Sequence, residues 1–280
     1  MKPLATVAGL PQPGRTLVMG VVNVTPDSFS DGGDWFDPGD AIRHGLALLA
    51  EGADIIDVGG ESTRPGADRP DVTEELRRVL PVVAELSGAG VVSIDAMRGR
   101  VAAEAVRAGA RLVNDVSGGA ADPQMLDTVA GLAVPYVCMH WRGHAEQMQR
   151  RAVYADVAGE VVAELSERVE AAVTAGIDPR RLVVDPGFGF AKTAEHNWEL
   201  LRRLDEVAAL GLPLLVGVSR KTFLGALLPD GAGHHRPARE RDDATTALTT
   251  VLAARGVWGV RVHSVRASRD AVAVAAALDT

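Results

Sequence analysis

Cysteine and aromatic residues are scarce in this chain of 280 residues, and its 29 basic residues are outnumbered by 37 acidic ones. Its single cysteine, Cys138, lies in the apolar stretch VPYVCM and has no partner for an internal disulfide, so we expect a core residue of a reducing compartment. Aromatic residues make up only 4%, so Ala, Val, Leu and Gly must fill the interior. The formal net charge of -8 argues against nucleic acid or an anionic membrane as the main partner.

Long apolar runs are missing as well. No uninterrupted stretch approaches the roughly 18 residues that a membrane-spanning helix needs, and residues 1–15 lack the apolar segment of a secretory signal. We therefore expect a cytoplasmic protein that has no membrane partner. With 47% hydrophobic residues, the chain can nevertheless bury a large core within one domain.

A short apolar run recurs along the whole chain. Eight runs of Val, Ile and Leu, from TLVMGVV to GVRVH, are nearly continuous in their apolarity, which predicts strands that are buried on both faces. The segments between them have helical spacing. In residues 37–53, for example, Ile42, Leu46 and Leu49 share one face and Asp37 is the expected N-cap. Eight strands that alternate with about eight helices predict a parallel α/β sheet.

Polar side chains at the strand ends distinguish a closed barrel from an open sheet. They are Asn23, Asp57, Asp95, Asn114, His140, Asp185, Ser219, Arg261 and His263. An open sheet concentrates its chemistry at one switch point, whereas a closed barrel brings every C-terminal strand end to one mouth. We predict a single-domain α/β fold, a (β/α)8 TIM barrel, over residues 16–280, preceded by an N-terminal extension at 1–15.

The segment after the first predicted strand is unusually long. It begins NVTPDSFSDGG, and no helix can start before about Pro38, so the connection exceeds a dozen residues. Long loops at a barrel mouth typically act as lids or contact substrate. Phe29 supports such a role, because an aromatic side chain in a polar loop needs a partner.

Two further polar segments stand out. GGESTRPGADRPD, at 59–71, offers Thr63 and Arg64, and the planar fork of arginine pairs with two phosphate oxygens; a surface salt bridge is the alternative. The insert at 229–243 is rich in glycine and charge, which predicts an exposed loop.

Three strand ends carry amide or carboxyl groups suited to a heterocycle. Asp95, Asn114 and Asp185 would point into one pocket of a barrel, where they could bind the donor and acceptor edge of a flat ring. Capping of the following helix is the alternative, and it accounts for one of the three more readily than for all of them.

The last two strand ends predict an anion site. Ser219, Arg220 and Lys221 stand where the seventh strand turns into a helix, and Arg261 and His263 share one face of the eighth strand. Loops after strands seven and eight are the usual phosphate site of such barrels. A Schiff-base role for Lys221, as in some aldolases, is the alternative.

The motifs NVTPDSFSDGG, GGESTRPGA, VSIDAMR, LVNDVSGG, VDPGFGFAKT, VGVSRK and VRVH occur in this order, and together the chain resembles the dihydropteroate synthases of the folate pathway from about residue 16 to 275. That resemblance implies a (β/α)8 barrel, generally a homodimer, that uses Mg²⁺. It also implies the joining of 6-hydroxymethyl-7,8-dihydropterin pyrophosphate to p-aminobenzoate, which gives 7,8-dihydropteroate and releases pyrophosphate.

The resemblance implies roles for the matching residues. Hydrogen bonds to the pterin ring would come from Asp95, Asn114, Asp185 and Lys221. The ring slot would be lined by Met139, Phe190 and Gly217. Pyrophosphate would be held by Asn23, Arg261 and His263, with Asn23 also the Mg²⁺ ligand. The p-aminobenzoate would contact Phe29, Pro65 and Thr222. The closing loops would contribute Pro26, Asp27, Ser28, Thr63 and Arg64. Val116 and Ser219 complete the substrate-contacting set. The implied catalytic groups are Asp95, Lys221, Arg64, Arg261 and His263.

One position departs from the family pattern, in which threonine commonly follows the third-strand aspartate; here the residue is Ala96. Two alternatives share the pterin site. A methyltetrahydrofolate–corrinoid methyltransferase would have the strand-end Asp and Asn but would not need the NVTPDSFSDGG loop. A catalytically weak pterin-binding paralogue would not need the intact set of cationic residues.

Overall fold

The computed structural model describes residues 5–25, 38–62, 69–144 and 148–278. Within these ranges lie eight strands: β1 Leu17–Asn23, β2 Ile55–Gly59, β3 Val92–Asp95, β4 Leu112–Asp115, β5 Tyr136–Met139, β6 Leu182–Asp185, β7 Leu215–Val216 and β8 Gly259–Val262. The same ranges contain the helices α1 Pro38–Ala50, α2 Val72–Ser87, α3 Gly99–Arg107, α4 Met125–Leu132, α5 Val157–Thr174, α6 Ala194–Arg202, α7 Leu204–Ala208, α8 Thr222–Leu227, α9 Asp242–Ala254 and α10 Val265–Leu278.

The eight strands form one sheet in which neighbours run parallel and follow sequence order. β1 pairs with β2 on one side and with β8 on the other, so the first and last strands are adjacent. A single parallel bridge, Val184 to Leu214, joins β6 to the start of the β7 segment. The sheet is thus a nearly closed barrel surrounded by helices, which confirms the predicted (β/α)8 architecture.

Strand side chains alternate between two apolar layers. In β1, Leu17 and Met19 belong to the cluster inside the barrel, whereas Val18 and Val22 pack beneath the helices. Since both strand faces are buried, the apolar runs of the sequence show no polar alternation.

Side chains fix the starts of several helices. Asp71 accepts the N–H of the residue three positions on and so caps α2, and Asp156 caps α5 in the same way. Thr193 and His196 form a capping box at α6. α1 begins at Pro38, as the sequence predicts, while the proposed cap Asp37 lies outside the described residues.

The segment before β1 packs against the N-terminal end of the barrel. Val7 and Leu10 are buried and join the interior cluster beside Trp258. A backbone hydrogen bond of 3.0 Å ties this segment to Arg180. The barrel is therefore closed at the end opposite the C-terminal strand ends.

Two local predictions can be compared with the structure. The insert at 229–243 is exposed along most of its length, but α9 begins within it at Asp242, because adjacent acidic side chains favour a helix start. Cys138 is a core residue of β5, as predicted, and burial raises the pKa of its thiol to about 12. None of the helices in the described residues has the length and apolarity needed to cross a membrane.

Candidate active site

Asp57 lies inside the barrel and connects several predicted site residues. Its Oδ2 accepts hydrogen bonds from Asn114 Nδ2 at 2.9 Å and from Arg261 Nε at 2.7 Å. Arg261 also donates through Nη2 to Asp95 Oδ2 at 2.9 Å. The four groups belong to β2, β3, β4 and β8, so hydrogen bonds across the barrel bring Asp95, Asn114 and Arg261 together.

Asp95 is the last residue of β3, with 13% of its side chain exposed. Burial raises the pKa of this carboxyl to about 7, while Arg261 favours the charged form and Asp57 opposes it. A carboxyl with a pKa near neutrality can exchange protonation states when a ligand arrives. It is therefore suited to hydrogen bonding with a ring that carries both donors and acceptors.

Asp185 ends β6, and its Oδ1 accepts the Gly187 N–H at 2.7 Å. Burial raises the pKa of this carboxyl to about 6, against the effects of that hydrogen bond and of Lys221. A Cβ on Gly217 would lie 3.8 Å from Arg261 Cβ and 3.9 Å from Asp185 Oδ2. Gly217 thus keeps open the space between the two charged groups.

Lys221 immediately precedes α8, and its ammonium lies 4.1 Å from the centre of the Phe190 ring. Burial lowers the pKa of Lys221 to about 8, and Arg261 acts in the same direction. Gly189 has a φ of +77°, and a Cβ there would lie 2.8 Å from Lys221 Cδ, so the lysine needs glycine beside it. The apolar wall of this space is a cluster of Met97, Val116 and Met139 with Ala121 and Phe190 packed against it.

Ser219 and His263 join the ends of β7 and β8. The Ser219 hydroxyl accepts the backbone N–H of His263 at 3.2 Å and lies 2.9 Å from His263 Nδ1. Burial, with Arg220, Arg261 and Lys221 nearby, lowers the pKa of His263 to about 3. The imidazole is thus neutral. In the tautomer in which Ser219 donates to Nδ1, the ring proton lies on Nε2, from which it can be donated to an anion.

Thr222 is exposed and is the first residue of α8. Arg220, expected as a second cation of the anion site, instead donates to the Asp242 carboxylate at 2.7 Å through both Nε and Nη2. This pair directs the Arg220 guanidinium away from the predicted anion site. Among the described residues, Lys221 and Arg261 are the cations left for that site, and Arg261 is itself paired with Asp57 and Asp95.

Asn23, the predicted Mg²⁺ ligand, is half-buried at the end of β1. Within the described ranges, no group of three or more His, Cys, Asp or Glu side chains could hold a metal ion. A single amide oxygen suits Mg²⁺ when substrate phosphates and water complete the octahedron, as is common for this ion. The residues present therefore fit a magnesium ion that arrives with a diphosphate.

Seven predicted site residues lie outside the described residues: Pro26, Asp27, Ser28, Phe29, Thr63, Arg64 and Pro65. Their roles stay predictions. The described set is found around one end of the barrel, as the closed-barrel interpretation requires.

Two residues of the site region received no role from the sequence. The sequence identifies Asp57 only as a strand-end polar residue. Asp57 lies two residues after Ile55, which packs inside the barrel. Since residues two apart share a strand face, this spacing indicates that the Asp57 side chain also points into the barrel. Lys192 follows the FGFA turn and is almost fully buried, with 4% exposure. The four preceding residues, FGFA, are small or apolar and do not indicate that the Lys192 side chain is buried.

Comparisons with known proteins agree with this geometry. A family model described as pterin binding enzyme matches residues 19–263. The dihydropteroate synthase of Mycobacterium leprae (strain TN) is 55% identical over 262 residues, which cover 93% of this chain and 92% of that protein. The chain belongs to the dihydropteroate synthase family.

Solved dihydropteroate synthases share the fold throughout. The Xanthomonas albilineans enzyme with 4-aminobenzoic acid has 46% sequence identity and a TM-score of 0.87, covering 95% of this chain and 94% of its own. A second structure of that enzyme, in complex with 7,8-dihydropteroate, has 41% identity and a TM-score of 0.86, with 99% of both chains covered. The resemblance inferred from the motifs is confirmed at the level of the dihydropteroate synthase family.

Proposed function

We propose that the chain catalyses the dihydropteroate synthase reaction, in which 6-hydroxymethyl-7,8-dihydropterin pyrophosphate and p-aminobenzoate give 7,8-dihydropteroate and pyrophosphate. The observation that carries this proposal is the convergence of a polar heterocycle site with a cationic site. Asp95, Asn114 and Asp185 form the first, and Lys221 and Arg261 the second. The 55% identity to the Mycobacterium leprae enzyme supports it.

The pterin ring would bind between the buried carboxyls and the apolar wall. Asp95 and Asp185 accept from ring N–H groups when ionised, and their raised pKa values let either carboxyl respond to the charge of the ring. Asn114 adds an amide whose orientation is fixed by Asp57. Phe190 and Met139 cover an apolar face of the same space.

Departure of pyrophosphate creates negative charge, and this chain places donors where that charge would develop. Arg261 is held by two carboxylates, so its guanidinium does not need to reorganise during the reaction. Lys221 contributes an ammonium, and neutral His263 offers its Nε2–H. Electrostatic stabilisation of this kind is often the largest catalytic contribution of a protein.

Magnesium would be held by Asn23 together with the diphosphate. When bound, it would neutralise part of the leaving-group charge. Because the described side chains supply so little of the coordination, metal affinity should depend on the presence of the pterin substrate.

The new bond forms between the p-aminobenzoate nitrogen and the pterin methylene carbon, the carbon–oxygen bond to pyrophosphate breaks, and the nitrogen then loses one proton to the departing pyrophosphate or to water. A neutral arylamine needs no strong base for this attack. Thr222, at the start of α8, is the described residue assigned to this substrate. Phe29, Pro65 and the residues predicted to close over the site retain their proposed roles.

A coupled pyrophosphate-release assay tests the function. We expect release that requires the pterin substrate, p-aminobenzoate and Mg²⁺ together. Release at an undiminished rate without p-aminobenzoate would reject condensation. A methyltransferase would release no pyrophosphate at all, so the same assay separates the two functions.

We also propose that the protein is a cytoplasmic homodimer. The buried, isolated thiol of Cys138 supports a reducing compartment, and the family resemblance supports the dimer. Sedimentation equilibrium measures the assembly state directly, and a monomer at assay concentration would reject that part of the proposal.

A further inference from the structure

Lys192 is a buried ammonium with three hydrogen-bond acceptors. It lies in the turn between β6 and α6, where only 4% of the residue is exposed. Its Nζ is 3.0 Å from the Gly187 carbonyl, 3.3 Å from the Phe190 carbonyl and 3.0 Å from His140 Nδ1. An ammonium has three N–H donors, so these acceptors account for all of them.

The turn held by Lys192 has an unusual backbone. Gly187, Gly189 and Ala191 all have positive φ, with values of +68°, +77° and +45°. For Ala191 this left-handed conformation costs free energy, because its Cβ approaches the backbone. The turn therefore needs interactions from the surrounding structure. Asn197 supplies one by accepting the Gly189 N–H at 2.7 Å, and Lys192 supplies the others.

The same turn carries two groups of the pterin slot. The Gly187 N–H donates to Asp185 Oδ1, and the Gly187 carbonyl accepts from Lys192. Phe190 likewise bonds to Lys192 through its carbonyl and presents its ring to the Lys221 ammonium. One buried amino group thus binds both the residue whose N–H orients Asp185 and the residue that forms the aromatic wall.

A chain of hydrogen-bonded side chains continues from Lys192, in which the carboxylates of Glu164 and Asp185 favour its charged form and Arg142 and Lys221 oppose it. His140 accepts from it at Nδ1, and its Nε2 lies 2.9 Å from Glu164 Oε2. Arg142 binds Glu164 on the other side. The other groups that face or act electrostatically on the lysine are Tyr154, whose ring centre is 5.9 Å from Nζ, and Asp185 and Lys221.

We propose that Lys192 is a positioning residue of the dihydropteroate synthase reaction, which clamps the 187–191 turn so that Asp185 and Phe190 match the pterin ring. This inference rests on the proposed function. It assigns Lys192 no contact with substrate. The expected signature is therefore a selective loss of pterin affinity, since the p-aminobenzoate residues Phe29, Pro65 and Thr222 belong to other parts of the chain.

The test compares four proteins by titration with 6-hydroxymethyl-7,8-dihydropterin pyrophosphate and by steady-state kinetics: wild type, Lys192→Met, Lys192→Gln and Val83→Ala. Lys192→Met should weaken pterin binding by roughly tenfold or more, because the carbonyls and His140 lose their donor. Its KM for p-aminobenzoate should stay within about twofold of wild type, as expected for a distant group. The pterin affinity of Lys192→Gln, which keeps an amide donor, should lie between those of wild type and Lys192→Met.

Val83→Ala is the matched control, since it removes fully buried methyl groups from α2 and leaves the turn intact. It should lower stability without changing pterin affinity. Pterin affinity of Lys192→Met within about twofold of wild type would overturn the positioning role. Should that variant fail to fold, Lys192→Gln carries the same comparison. Absence of turnover in the wild type would instead reject the proposed function, so the two failures are distinguishable.

Discussion

Asp57 is fully buried, and one of its oxygens accepts from two residues that belong to the substrate site. Its second oxygen, Oδ1, has no hydrogen-bond partner among the described residues. Asp57 therefore stabilises the orientation of Arg261 and Asn114 through a single oxygen. A negative charge in this position also balances the Arg261 guanidinium, which would otherwise have Asp95 as its one carboxylate partner within the part of the chain that the structure describes.

Asp57→Asn should reduce catalytic efficiency while leaving the shape of the side chain unchanged. The amide cannot neutralise Arg261, so kcat/KM for the pterin substrate should fall roughly 10- to 100-fold, the range typical of a lost charged hydrogen bond. Steady-state kinetics with each substrate varied in turn measures the effect. Asp54→Asn is the control, because Asp54 pairs with Arg15 before β2, away from the strand ends. Equal losses in both variants would contradict a specific role for Asp57.

Asp185 predicts a pH-dependent difference in stability. Its folded pKa of about 6 lies above its ordinary value of 3.8, so the folded state binds the proton more tightly than the unfolded state. The stability that protonation contributes is complete below about pH 4 and is lost as pH rises through about 6. Asp185→Asn cannot ionise, and its amide oxygen can still accept the Gly187 N–H.

Asp185→Asn should therefore gain stability relative to wild type as pH rises from about 4 to 6, and the difference should be constant above that range. At about 1.4 kcal/mol for each pKa unit, the gain has an upper limit of roughly 3 kcal/mol. Denaturant unfolding at several pH values measures it. A difference that does not vary with pH would show that Asp185 titrates normally. The same variant should bind the pterin substrate more weakly, because it loses an ionisable acceptor.

Among structural elements, the turn between β7 and α8 depends on contacts with the following insert. Arg220 has a φ of +60°, which is strained for a residue with a Cβ. The Asp242 carboxylate binds the Arg220 guanidinium, and Arg241 donates to the Arg220 carbonyl at 2.8 Å. The start of α9 thus fixes the backbone that presents Ser219 and Lys221.

Asp242→Ala should loosen this turn and raise the KM values of both substrates by roughly three- to tenfold, because small misplacements of a binding group reduce productive binding. Asp243→Ala is the matched control, since the neighbouring residue also carries an acidic side chain in the first turn of α9 but is exposed. Kinetic constants that are identical for the two variants would contradict a role for the Arg220–Asp242 pair.

At the level of elements, the apolar runs predicted all eight strands, because strands buried on both faces need nearly continuous apolar sequence. The strand-end residues Asp95, Asn114 and Asp185 followed from the same pattern. The turn conformations could not be predicted in this way. Ala191 and Arg220 adopt left-handed backbone angles that neither residue type favours, and tertiary contacts of Lys192 and Asp242 impose them. The sequence accordingly predicts Arg220 in the anion site, whereas the structure pairs its guanidinium with Asp242.

Across the whole molecule, the two ends of the barrel have different tasks. The polar groups that converge on substrate lie at the C-terminal ends of the strands, whereas the segment before β1 packs Val7 and Leu10 into the interior cluster at the other end. In barrels of this type the first end carries catalysis and the second contributes stability.

Val7→Ala should separate these tasks. Val7 is 1% exposed, and removing two methyl groups from a packed site should lower the free energy of unfolding by about 1–2 kcal/mol. The kcat and both KM values should remain those of the wild type at 25 °C. Chemical denaturation and the pyrophosphate assay, run on the same samples, measure both properties. A changed KM for either substrate would show that packing at the end of the barrel covered by the segment before β1 affects the substrate site at the opposite end.

The seam between β6 and β7 differs from the other strand pairs, because a single bridge, Val184 to Leu214, spans it. We expect local opening of the sheet to occur first between β6 and β7. The Val184 amide, which donates to the Pro213 carbonyl, should therefore exchange its hydrogen with solvent faster than amides paired between β1 and β2. Asp185 is the very next residue. A ligand bound in the pterin slot should then hold β6 and β7 together, so hydrogen exchange between these two strands should slow more than elsewhere in the sheet.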